Sequence, residues 1–136
     1  MKRRLFALFG MGLLLATSSA YAQTINLKAD IPFDFVVGKI TLPSGEYTIR
    51  SFNADQTLSI GGSAHNPVLF LAKRCSSPSP SAQSKLVFAR YGERYFLSEM
   101  WIEGNSTGRQ LLKSRREVRV AENQAAQPVV VLAELR

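Results

Sequence analysis

Lys85-Leu86-Val87-Phe88-Ala89-Arg90-Tyr91-Gly92-Glu93-Arg94-Tyr95-Phe96-Leu97-Ser98-Glu99-Met100-Trp101-Ile102 decides the fold. Two alternating runs flank Tyr91-Gly92-Glu93-Arg94, and glycine at the first central position suits a two-residue type II′ hairpin turn. That turn sets Arg90 opposite Tyr95, Phe88 opposite Leu97 and Leu86 opposite Glu99. One face then carries Leu86, Phe88, Arg90, Tyr95, Leu97, Glu99 and Trp101. The other carries Val87, Ala89, Tyr91, Arg94, Phe96, Ser98 and Met100. Both faces are partly apolar, so the hairpin is expected at the centre of its sheet.

Period-two alternation continues on the N-terminal side, where Ile25, Leu27, Ala29, Ile31, Phe33, Phe35 and Val37 fall on odd positions and line one face of a strand. Pro32 has no N–H for a ladder and divides the stretch or places it at an edge. Gly38-Lys39 and Pro43-Ser44-Gly45 read as turns, with Tyr47, Ile49 and Phe52 on the strand that follows. Asn53 to Gln56 is a further turn, Leu58 and Ile60 mark a short strand, and Gly61-Gly62-Ser63 a break. Val68 to Ala72 is continuously apolar, as in a strand covered on both faces. Ser76 to Ser84 is a Ser/Pro/Gln segment expected to form a mobile surface loop.

Beyond the hairpin, Glu103 to Gly108 reads as a polar loop. Leu111, Leu112, Arg115, Val118, Arg119 and Glu122 have helical spacing, which predicts one short helix from Leu112 to Asn123. Val129 to Ala133 is β-branched and apolar enough for a closing strand. The fold class is therefore mainly β, an antiparallel barrel or sandwich with one short helix near the C-terminus.

Residues 1–22 have the order of a secretory signal peptide. Lys2, Arg3 and Arg4 precede the apolar run Leu5 to Ala16, and Ala20-Tyr21-Ala22 supplies an A-x-A cleavage site with Ala20 and Ala22 as its small residues. The run is shorter than the ~20 residues a spanning helix needs, so no membrane span is expected after cleavage. Residues 23–136 then form a single β-domain with a periplasmic or secreted location. The chain of 136 residues carries a formal charge of +7, and without the leader it has 14 basic and 10 acidic groups, or +4. Nucleic acid is a poor partner for an exported chain of that modest charge.

No disulfide can close within the chain, because Cys75 is its one cysteine. Arg74 beside it is a means of activating the thiol; a merely tolerated cysteine at a strand end is the commoner case. One His and one Cys are too few for a usual transition-metal site, so neither metal nor cofactor is expected. His65 sits in a turn, no G-x-S-x-G elbow accompanies it, and no catalytic residues are assigned. Asn105-Ser106-Thr107 matches a glycosylation sequon that a polar loop often carries by chance.

Two residue groups are candidates for binding. Arg90, Tyr95, Glu99 and Trp101 share one predicted hairpin face and could form a small-molecule or glycan site at a barrel mouth or cleft. Glu99 and Glu103 around Trp101 also admit a glycosidase pair, although a domain of this size leaves little room for a deep substrate cleft. The second group, Arg109, Lys113, Arg115, Arg116 and Arg119, could bind a polyanion. Its alternative is a solvated helix face balanced by Glu117 and Glu122.

Ile31-Pro32-Phe33-Asp34-Phe35-Val36-Val37-Gly38, Leu42-Pro43-Ser44-Gly45-Glu46-Tyr47, and the hairpin's Lys85 to Phe88 and Arg90 to Leu97 resemble a family of small exported bacterial proteins with a "PFDF-VG…LPAGEY…RYG-RYFL" pattern. The similarity covers Ile31 to Arg116, with Ser44 where alanine is usual. It implies an envelope or secreted location and one compact domain, and it brings no activity and no functional residues. The expected function is a non-enzymatic binding or envelope-associated module. Its partner is an envelope polymer, a glycan or a protein.

Overall fold

A computed structural model describes residues 25–52, 56–63 and 66–135. Residues 1–22, expected to be a leader with its cleavage site, and His65 lie outside the described residues, as does the side chain of Phe52. Ten strands form one sheet: β1 (Asn26–Ile31), β2 (Phe35–Val37), β3 (Ile40–Leu42), β4 (Gly45–Phe52), β5 (Thr57–Gly62), β6 (Val68–Ser76), β7 (Lys85–Tyr91), β8 (Arg94–Trp101), β9 (Thr107–Leu111) and β10 (Gln127–Leu135). A single helix, α1 (Arg115–Ala121), lies between β9 and β10.

Eight strands close a ring in the order β8-β7-β10-β1-β4-β5-β6-β9, with β9 returning to β8. Every pairing in the ring is antiparallel. The fold is therefore a barrel and not a sandwich. The β2–β3 hairpin stands outside the ring and joins β8 through one parallel pair, Val36 with Phe96. Strand β8 serves both neighbours by dividing its length: Phe96 meets β2, while Glu99 and Met100 meet β9.

Alternation fills the interior. Leu27, Ala29 and Ile31 of β1, Ile49 of β4, Leu58 and Ile60 of β5, and Leu86 and Phe88 of β7 are buried in one core, as the limited bore of an eight-stranded barrel requires. Pro32 separates β1 from β2, and the intervening Phe33 returns to the core by stacking on Tyr95 with centroids 3.8 Å apart. Phe33 and Phe35 each meet Phe88 in a T-shaped arrangement, with centroids 4.9 and 5.5 Å away. Tyr47 packs edge-on against Phe35 and donates its hydroxyl to the Pro43 carbonyl at 2.6 Å.

The hairpin turns at Gly92, whose φ of 63° is open to glycine at little cost. Arg90 pairs with Tyr95 and Phe88 with Leu97, but the register then slips, so that Val87 meets Glu99 and Leu86 meets Met100. Ser98 is the extra residue. This bulge bends the strand and increases its twist, and it exchanges the predicted faces of the last three residues of β8. Met100 turns inward to the core, and Glu99 and Trp101 turn out.

Three further expectations are corrected. Val68 to Ala72 is covered on one face only, since Leu69 and Leu71 are 64% and 61% exposed while Phe70 and Ala72 are buried. Thr107 to Leu111 is a strand, extending into what read as loop and helix, because β6 offers it a ladder from Ala72 to Ser76. The helix consequently begins later than Leu112: Ser114 caps it, accepting the Glu117 N–H on its hydroxyl at 3.2 Å. The Ser/Pro loop is tied down by Ser77 N–H to the Ser106 carbonyl, Ser81 N–H to Asn105 and Gly104 N–H to Ser81.

Candidate functional site

The four residues placed together on one hairpin face do not converge. Arg90 and Tyr95 sit beside the Gly92 turn, where the guanidinium lies 5.5 Å from the Tyr95 ring centroid and donates through Nε to the Gly92 carbonyl at 2.7 Å. Glu99 and Trp101 are on the outer wall at the other end of β8, turned there by the Ser98 bulge. Trp101 is only 9% exposed, and its indole N–H donates to Glu99 Oε2 at 2.9 Å. Its ring covers Gly108, where an added Cβ would come within 2.6 Å of Trp101 Cε3 and 2.7 Å of the Met100 carbonyl. Glycine at 108 is what allows the indole to lie against β9, and the ring presents no open platform for a sugar.

Cys75 pairs with Gly108 across β6 and β9 and belongs to the same outer wall. Burial, then the Glu99 carboxylate, push its thiol up, only partly opposed by the Gly108 backbone, Arg109 and Lys73. A raised thiol carries less thiolate at neutral pH and is a weaker nucleophile. Arg74, the preceding residue of β6, pairs with Arg109 of β9.

The basic cluster is divided as well, and its larger part gains new members. Arg115, Arg116 and Arg119 line a cleft of about 510 Å³ with Ser114 and Val120, joined by Lys39 from the β2–β3 turn and Arg94 from the start of β8. Arg109 lies in β9 and Lys113 does not line the cleft. Lys39 and Arg94 were illegible as partners of the arginines, being about 75 and 20 residues distant along the chain. The Val36–Phe96 pair gathers them by holding the β2–β3 hairpin against β8.

Charge in this cleft is one-sided. Among the described residues, none of Lys39, Arg94, Arg115, Arg116 and Arg119 has a carboxylate within salt-bridge distance; the ion pair between Lys28 and Glu46 is on another wall. Glu117, expected to balance the helix, is instead only 5% exposed and accepts the Tyr91 hydroxyl at 3.0 Å. Burial and this bond push the Tyr91 hydroxyl up to about 12. Val120 and Ala121 pack beside it on a small second core of Val36, Tyr91 and Phe96. One side of α1 is thus fixed to the barrel while its arginines face the cleft and solvent. The Ser114-Arg115-Arg116-Glu117 sequence is a capping pattern, the one signal that would have placed this helix start correctly.

A second cleft, of about 480 Å³, adjoins the first. Tyr91, Gly92, Glu93, Asn123 and Gln124 line it together with Arg94, Arg119 and Val120, which the two clefts share. Among the described residues no group of three His, Cys, Asp or Glu gathers as a metal site, and no helix is long and apolar enough to cross a membrane. Compared with protein-family models, curated proteins and solved structures, the chain matches none of them.

Proposed function

We propose that this chain is an exported, non-enzymatic binding module that holds an anionic ligand in the cleft of Lys39, Arg94, Arg115, Arg116 and Arg119. The observation that carries this reading is five cations around one concavity with no carboxylate of the described residues paired to any of them. Guanidinium groups bind carboxylate, sulfate or phosphate oxygens through paired donors, and a shared concavity raises the local potential above what a net charge of +4 would give on an even surface. The leader sequence supports export.

The test is retention of the chain from Gln23 onward on immobilised heparin. At 0.15 M salt the screening length is about 8 Å, and at 1 M about 3 Å, so retention at the first and release by the second is expected. Arg115→Gln/Arg116→Gln/Arg119→Gln should pass through at 0.15 M while remaining folded by circular dichroism. Retention of this variant equal to the parent's would remove the reading.

A further inference from the structure

We infer that the ligand of this groove is an anion-bearing saccharide, bound with its charged group between Lys39, Arg115 and Arg116 and its hydroxyls toward Glu93, Asn123 and Gln124. The inference rests on the anion-binding proposal and adds to it a ligand class and an orientation. Its basis is the unequal chemistry of two clefts that Arg94 and Arg119 join into one groove. One end offers five cations and the Ser114 hydroxyl, with no carboxylate in its lining. The other offers one carboxylate and two primary amides, beside a turn whose Gly92 lies against the Gln124 amide, 3.3 Å from where a Cβ would sit.

A chain of charged groups without hydroxyls fits this groove poorly. Its far end would meet the Glu93 carboxylate with like charge, while the amides would find acceptors only. Hydroxyl groups both donate and accept, so they satisfy a carboxylate and an amide together. An open groove along the outer wall also admits an oligomer, which a closed barrel bore would not. Carboxylate and phosphate are equivalent to the arginine end, so a sugar acid and a sugar phosphate share the required chemistry.

Calorimetric titration of the chain from Gln23 onward separates these cases with four probes: trigalacturonate, glucose 6-phosphate, maltotriose and inorganic tripolyphosphate. Trigalacturonate or glucose 6-phosphate should bind, and which of the two is tighter identifies the anion; maltotriose should not bind. Asn123→Ala/Gln124→Ala should weaken the bound sugar about tenfold, the loss of one or two hydrogen bonds, and leave tripolyphosphate within about twofold. Glu93→Gln should strengthen tripolyphosphate without strengthening the sugar.

If tripolyphosphate binds more tightly than both charged sugars and is the ligand weakened by Asn123→Ala/Gln124→Ala, the saccharide assignment is overturned and the anion proposal survives. Absence of binding by all four probes overturns both. Maltotriose binding that persists in Arg115→Gln/Arg116→Gln shows that charge is not what the groove reads, and this too overturns the inference.

Discussion

The barrel bore and the helix-covered outer wall solve the same packing problem with opposite chemistry. Inside, Leu27, Ile31, Ile60, Leu86 and Phe88 are fully buried and meet mostly other apolar groups, so the bore is a filled support. Outside, the small core of Val36, Tyr91 and Phe96 includes a buried hydroxyl bonded to a buried carboxylate, and cations surround it. The difference teaches that closing the barrel and building the proposed site are separate tasks, the second given to α1, the β2–β3 turn and the first residues of β8.

The largest expected effect breaks the bore. Phe88→Ala removes a ring that two other phenylalanines contact and should cost about 3–5 kcal/mol in denaturant unfolding, with heparin retention of the folded fraction unchanged. Gly108→Ala comes next: its Cβ meets the Trp101 ring and a backbone oxygen, and overpacking of this kind costs about 1–3 kcal/mol.

On the outer wall, Tyr91→Phe leaves the buried Glu117 carboxylate without its donor and should cost about 1–3 kcal/mol, with loosening confined to α1 in hydrogen exchange. The pH dependence has a definite sign. An unfolded tyrosine loses its proton near 10 and Tyr91 in the folded chain near 12, so the folded state binds more protons between these values. Its contribution is fully present below pH 10 and is lost as pH rises toward 12. Tyr91→Phe should flatten that part of the stability profile, whereas an unchanged profile would show that burial and the Glu117 bond do not hold the Tyr91 proton above its ordinary range. The smallest effect concerns Cys75, whose alkylation in the folded chain at pH 7.5 should be slower than in urea, as a raised and half-buried thiol requires.

The same division explains what could be read from sequence. Bore residues repeat every second position, and Leu27, Ala29, Ile31, Tyr47, Ile49, Leu58 and Ile60 all stand where alternation puts them. Turn residues were equally legible at Gly38, Gly45 and Gly92, whose positive φ values are 61°, 155° and 63°. The Ser98 bulge was not, because one added residue leaves local composition unchanged while reversing which face Glu99, Met100 and Trp101 occupy. Strand β9 was hidden for another reason: Thr107-Gly108-Arg109-Gln110-Leu111 has little strand propensity and is held by its ladder to β6. Only the helix's share of the cleft, Arg115, Arg116 and Arg119, is local in sequence.

The most direct measurement compares two variants that lose the same charge from different walls. Arg115→Gln/Arg116→Gln/Arg119→Gln and Arg50→Gln/Lys73→Gln/Lys85→Gln each remove three cations, the first set from the helix-side cleft and the second from surfaces outside it. The salt concentration that elutes each from heparin separates a site from net charge. If the helix-side cleft is the site, the first variant is not retained at 0.15 M salt and the second elutes close to the parent; equal loss from both would contradict it.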